Sequence, residues 1–194
     1  LFSAQFNTGR IMRHIITPQG ATYQTKDDPF ITSSNADIHL TDVLQDADGS
    51  LLLVNTGGWF IAGCPLSVVA KKEAKAGIYR VRKLDAKRID DPCGRRLNFT
   101  ETTAKDLLQY ITDDRPVVRS QVIEQLVIKG ASAVEEIKHT LLSSTNEEAR
   151  TAAVFMLYRI NEPGSAMEAI RSALDDKSVM VRTATARVLG LSRD

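Results

Sequence analysis

The chain has 194 residues, 43% of them hydrophobic and 25% charged, a composition that folds rather than staying disordered. Lys+Arg 25 against Asp+Glu 24 leaves a formal net charge of +1, too small for a general polyanion binder, so no nucleic-acid partner is expected. No apolar run reaches the roughly 18–20 residues that span a bilayer, so no membrane span is expected either. The first residues, beginning at Leu1, carry no signal-peptide pattern, and the chain reads as part of something longer.

The first half is punctuated by Gly, Asp-Gly and Pro and reads as short strands. Residues 1–6 alternate, Asn7-Thr8-Gly9 is a turn signal, and Arg10-Ile11-Met12-Arg13-His14-Ile15-Ile16 resumes, which predicts a hairpin. Pro18-Gln19-Gly20 predicts a second turn and residues 21–25 a third strand. Residues 41–44 and 51–54 flank Asp46-Ala47-Asp48-Gly49, a hairpin signal because Gly accepts the positive φ of the turn. The same acidic turn invites a calcium reading, but a calcium loop counted from Asp46 would need Glu at its twelfth position, where Gly57 stands. Gly77-Ile78-Tyr79-Arg80-Val81-Arg82 alternates strictly and is the last expected strand. Short strands at even spacing suit a propeller, barrel or sandwich.

The second half is rich in Ala, Leu, Glu and Val and repeats itself. Asp113-Asp114-Arg115-Pro116-Val117-Val118-Arg119 aligns with Ser144-Thr145-Asn146-Glu147-Glu148-Ala149-Arg150 and with Asp175-Asp176-Lys177-Ser178-Val179-Met180-Val181-Arg182. Apolar residues at helical spacing precede and follow each segment, which predicts three helix pairs. Thr103, Ser132 and Asn146 are placed to cap helices, and Pro116 suits a first turn. One helix pair cannot bury its apolar stripe alone, whereas stacked pairs can. This pattern resembles HEAT-like repeats over residues 102–192. Arg119, Arg150 and Arg182 recur in register, either to contact a ligand or, more simply, to pair with the acidic turn of a neighbouring unit.

A longer run lies in the first half: His39-Leu40-Thr41-Asp42-Val43-Leu44-Gln45-Asp46-Ala47-Asp48-Gly49-Ser50-Leu51-Leu52-Leu53-Val54-Asn55-Thr56-Gly57-Gly58-Trp59-Phe60. With Gly63-Cys64-Pro65 and Gly77-Ile78-Tyr79-Arg80, it resembles the secreted "membrane-bound dehydrogenase" proteins of the PVC type, which are similar to glucose/sorbosone dehydrogenases. The resemblance implies an α+β chain in two regions: antiparallel strands of the last one or two propeller blades and a linker over residues 1–98, then an α-helical HEAT-like array over 99–194. It further implies a secreted or periplasmic setting. On this reading the chain is a fragment acting as a structural and protein-interaction module, with a protein partner held through the helical array. The alternative is part of a sugar- or quinone-linked oxidoreductase whose site needs further blades. No cofactor is expected in this segment; in the parent the resemblance implies a quinone (PQQ) or a haem c in another domain. The chain has no Cys-x-x-Cys-His, and Asn55 replaces the family's acidic residue before Thr-Gly-Gly-Trp.

By the same resemblance His39 and Asp42 are candidates for a propeller channel, and Asn55 and Trp59 for facing a ligand. The simpler alternatives are a hydrogen-bonded loop pair for the first two and a core aromatic for Trp59. No metal site is expected. His14 and His139 read as surface or packing residues. In a secreted setting Cys64 and Cys93 either form a disulfide closing a loop of about 30 residues or remain two thiols. Residues 71–96 hold ten basic and four acidic residues; a solvated linker suits them, and an anionic partner is the alternative. Unpaired sheet edges offer a further route to association.

Overall fold

The computed structural model describes residues 1–20, 22–35, 37–58, 73–162 and 164–192. It is a mixed α+β chain: two antiparallel three-stranded sheets precede six helices. The chain forms two compact units, Leu1–Arg88 and Ile89–Asp194. Residues 89–98, read from sequence as the end of the strand region, belong by contact to the helical unit.

In the first sheet, β1 (Phe2–Gln5), β2 (Arg10–Gln19) and β3 (Thr22–Thr32) pair antiparallel in chain order. β2 and β3 are longer than their alternation predicts. The Pro18-Gln19-Gly20 turn tightens to Gly20, whose φ of 58° suits glycine, so Pro18 and Gln19 stay in the strand opposite Tyr23 and Thr22. β1 pairs only with Arg10 to Arg13, so Pro18 meets a single neighbour and its missing N–H breaks no second ladder. Pro29 lies in β3, at the edge, where the register slips between Ile11 and Met12; a proline is tolerated at an edge or a bulge.

The second sheet orders β4 (Leu40–Gln45), β5 (Leu51–Asn55) and β6 (Gly77–Val81). Asp46 to Gly49 makes the β4–β5 turn, and Gly49 has φ 78°. Ile11 of the first sheet and Leu40 and Leu53 of the second form one cluster, flanked by half-buried Phe2, Ile31, Val43 and Val81. Three fully buried apolar side chains among the described residues make a thin core, so polar pins carry much of this unit's order.

The helical unit is built differently. Its helices are α1 (Ala104–Leu108), α2 (Pro116–Lys129), α3 (Ala131–Ser143), α4 (Glu147–Ile160), α5 (Ser165–Ser172) and α6 (Val179–Ser192). α1, α3 and α5 neighbour one another, as do α2, α4 and α6, giving two layers of three helices. Val118, Val122, Leu126, Ile137, Val154, Met156, Leu157 and Ile170 are fully buried between them. Thr103 accepts from the Asp106 amide, and Asn146 from Glu148 and Ala149, so both cap as expected. Ser132 does not. It lies inside α3 and donates to the Lys129 carbonyl, because α3 starts directly at Gly130, whose φ of 57° reverses the chain.

One arginine recurs in each unit of the array. Arg119, Arg150 and Arg182 each donate Nη1 to the carbonyl six residues earlier: Asp113, Ser144 (2.9 Å) and Asp176 (2.7 Å). Arg150 does more. Its Nε and Nη2 grip both Asp176 carboxylate oxygens at 2.8 and 2.9 Å, joining the turn before α4 to the turn before α6. Its side chain is 4% exposed, and its guanidinium, followed by the Ser178 amide, holds the Asp176 carboxyl below the ordinary carboxylate value. Ser178 adds a second tie by donating to Glu147 at 2.6 Å. Removing one member of a buried pair strands the other. Arg150→Met is therefore expected to lower the stability of the helical unit by about 3 kcal/mol in urea denaturation, and a loss below 1 kcal/mol would show that Asp176 finds its partners elsewhere.

Candidate functional site

Of the residues singled out in the strands, Asn55 is the most tightly held. It is 2% exposed. Its Oδ1 accepts from the His39 and Gly57 amides, each at 3.0 Å, and its Nδ2 donates to the Lys75 carbonyl at 3.3 Å. Three stretches of backbone meet on this one side chain. An aspartate here would face the Lys75 carbonyl with a second acceptor, so the amide is what the geometry asks for. Gly57 lies so close beneath residues 74–76 that an added Cβ would fall 2.4 Å from the Ala74 carbonyl oxygen.

His39 is half-buried, stacked on Phe6 with ring centroids 4.4 Å apart. Its Nδ1 donates to the Gly57 carbonyl at 2.7 Å, which fixes the proton on that nitrogen in the neutral ring. Asp42 is exposed, and its carboxylate accepts from the Val43 amide. The structure brings His39 and Asn55 together through backbone groups, and no hydrogen bond joins Asp42 to either. Trp59 and Cys64 lie outside the described residues, as do Lys71 and Lys72 of the basic stretch. Cys93 is half-buried.

The acidic turn is a closed electrostatic clamp. Asp48 accepts from the hydroxyl and amide of Ser50 and pairs with Arg82 at 2.8 Å and Arg80 at 3.3 Å; Asp46 meets Arg80 at 2.6 Å. These bonds, Ser50 first and the two arginines after it, hold the Asp48 carboxyl down to about 2. The carboxylates that suggested a cation in the sequence are occupied by the guanidinium groups of Arg80, in β6, and Arg82, just past its end. The alternation of residues 77–82 carried the signal, since it places Arg80 and Arg82 on one face.

Sequence reasoning missed a row across the first sheet. Ser3 Oγ lies 2.7 Å from His14 Nε2, and His14 Nδ1 lies 2.8 Å from Asp27 Oδ1. The signal was strand register, because these residues are far apart in sequence and adjacent only across β1, β2 and β3. The order is that of nucleophile, base and acid, but catalysis also needs donors for a developing oxyanion and a place for substrate. None of the grooves found among the described residues touches these three, and Asp27 is half exposed. The row ties three strands together where β2 and β3 extend past β1.

A groove of about 840 Å³ in the sheet unit lies along Phe2, Phe30, Val43, Leu44, Leu51 and Val81. It is mostly apolar, and Leu1, Arg82 and Lys83 also line it. Among the described residues no three of His, Cys, Asp and Glu converge to hold a metal, and no helix is long and apolar enough to cross a membrane. His39 gives Nδ1 to a carbonyl, and one carboxylate oxygen of Asp42 accepts from an amide.

Comparison with protein-family models, with curated proteins and with solved structures finds no match to this chain.

The clamp has a sign that acid titration tests. Asp48 is charged in the fold well below its ordinary value of 3.8. Its contribution to stability is thus complete above about pH 4 and is lost as pH falls toward 2. The carboxyl carbon of Asp48 is expected to titrate near 2 by NMR, and Asp48→Asn is expected to flatten the stability of the sheet unit between pH 4 and 2; a midpoint near 4 would show that the clamp is open in solution.

Proposed function

We propose that this chain is a structural and protein-interaction module, a segment of a secreted propeller–HEAT protein in which the helix pairs form a HEAT-like array that holds a protein partner. The recurrence of the arginine-to-carbonyl bond in all three units, within two layers of helices, is the observation that carries this reading. Stacked pairs offer a continuous side to a partner, and the second helix of each pair supplies it. Equivalent positions on these helices place Ser120 and Glu124 on α2, Thr151 and Phe155 on α4, and Thr183 and Arg187 on α6, none of them fully buried. An acid, an aromatic and a base thus follow one another along the layer. Glu124 also pairs with Arg159 at 2.9 Å across α2 and α4, which fixes the spacing of the surface.

The strands in this proposal are the last blade or two of the propeller, and the thin core behind Ile11, Leu40 and Leu53 is what a segment of a larger β structure would have. The rival reading, part of a sugar- or quinone-linked oxidoreductase, has the family resemblance as its sole support. Photo-crosslinking in the source cell separates the two. A crosslinker at Thr151 is expected to capture one dominant protein that the same group at Glu135, on the other layer, does not capture. Equal capture from both positions, or dye-linked sugar oxidation by the full-length protein that falls with His39→Ala, would contradict the module.

A further inference from the structure

We propose that the groove between the two sheets of the first unit binds a single-chain organic monoanion, an aliphatic carboxylate whose apolar body lies along the groove and whose charged end meets Lys83. The site lies within the sheet unit and is independent of the partner surface on the helices.

The groove has two walls, and this chain supplies both. Phe2 and Phe30 come from the first sheet, with ring centroids 4.9 Å apart, and Val43, Leu44, Leu51 and Val81 come from the second. They gather where β4 and β6 finish and β1 and β5 begin. Phe2, Val43, Leu51 and Val81 also pack on the cluster of Ile11, Leu40 and Leu53, so the groove continues the core outward. Phe30 and Leu44 nonetheless keep 36% and 44% of their surface exposed. A volume of about 840 Å³ falls within the roughly 300–1,000 Å³ of small-molecule sites. Water held against such walls is released when an apolar chain takes its place.

The mouth of the groove carries one side-chain cation in excess. Gly49 of the acidic turn lines it together with Arg82 and Lys83, so the clamp stands at this end. Within the clamp two aspartates face two arginines: Asp46 meets Arg80, and Asp48 meets Arg80 and Arg82. Those four charges cancel. Lys83 is exposed and has no carboxylate partner among the described residues, and Asp85, the next acid along the chain, does not line the groove. Leu1 gives its amine to the His14 carbonyl at 3.1 Å. A lysine ammonium is a compact charge on a flexible stem, so Lys83 can follow the end of a chain that lies along the apolar walls. One surplus positive charge beside an apolar cleft is complementary to one negative charge on an apolar body.

Other ligands suit the place less well. Both acids at the mouth already hold guanidinium groups, and among the described residues no cluster of ligands would hold a metal ion. A phosphate group is held by several donors at once, whereas Arg80 and Arg82 are engaged by the clamp and Lys83 stands alone. A bilayer surface is met by apolar side chains that stand out from the protein, whereas Phe2, Val43, Leu51 and Val81 are half-buried in a cleft.

The test titrates the full chain with decanoate, decanol and decyltrimethylammonium, each below the concentration at which it aggregates, and follows backbone amide shifts. Decanoate is expected to shift Val43, Leu44, Leu51 and Val81, to bind about fivefold more tightly than decanol, and to bind more tightly still relative to the cation. Each methylene added from octanoate to dodecanoate is expected to tighten binding roughly threefold. Lys83→Met keeps the stem and removes the charge, so decanoate should bind that variant no better than decanol does. Leu44→Trp adds apolar surface but fills the groove, so decanoate should bind it about tenfold more weakly. Both substitutions fall at exposed positions, and the comparison of ligands on the native chain needs no variant. Equal affinity for the three ligands, or a preference for decanoate that survives Lys83→Met, overturns the role of Lys83. Binding unchanged or tightened by Leu44→Trp, or shifts confined to the helical unit, overturns the groove. Tighter binding to phosphatidylglycerol vesicles than to free decanoate through the same amides, or a dimer at micromolar concentration that Leu44→Trp breaks, overturns the assignment to a free carboxylate.

Discussion

A guanidinium taken out of water must find charge and acceptors at once, and in this chain that demand organises the helical unit. Arg150 is enclosed by α4 and its neighbours, and every bond of its guanidinium leaves its own helix: one to the Ser144 carbonyl and two to Asp176. It therefore fixes the turn before α4 and the turn before α6 in a single geometry. The apolar stripes of Val154, Leu157, Val181 and Val188 supply the larger part of the driving force, but they are slippery, since aliphatic side chains pack in many registers. The bidentate pair selects one register. Asn146 and Ser178 cap the two helices it joins, so local and tertiary preferences agree at the same place.

The sheet unit meets the opposite circumstance. Its core holds few buried apolar groups, and its order comes from polar groups that each tie several backbone stretches. Asn55 joins the start of β4, the end of β5 and the stretch leading into β6. Asp48 joins the β4–β5 turn to Arg80 and Arg82. Ser3, His14 and Asp27 join β1, β2 and β3. Such side chains would attract attention as catalytic groups in a list, yet their bonds run to backbone and to structural partners. The same chemistry that suits a reaction centre also suits a staple, and the partners decide which it is.

The parts legible in the sequence were those with a local cause. Asp48-Gly49 marked a hairpin because its φ requirement is local, and β4, β5 and β6 lie within a residue of the alternating runs that predicted them. The helix pairs were legible because Val118, Ala149 and Val181 recur beside an arginine at a fixed distance from an entry turn. The parts that were not legible depend on register or on distant chain. Residues 26–32 carry Asp27, Asp28 and Pro29, poor strand formers, and become β3 only because β2 lies beside them. Residues 89–98 look like a linker until Leu97 and Phe99 find α2. Ser132 reads as a cap, but Gly130 turns the chain so sharply that α3 begins before it. The row of Ser3, His14 and Asp27 has no spacing that a motif could express.

The central claim is that α4 is the keystone of the helical unit, enclosed on both sides and bolted by Arg150, whereas α6 is enclosed on one. Native-state hydrogen exchange reads this directly. The amides of Arg150, Val154 and Leu157 should exchange only through unfolding of the whole helical unit, and those of Arg182, Ala186 and Leu189 through a smaller opening at lower free energy. Equal protection of the two stripes would contradict the account.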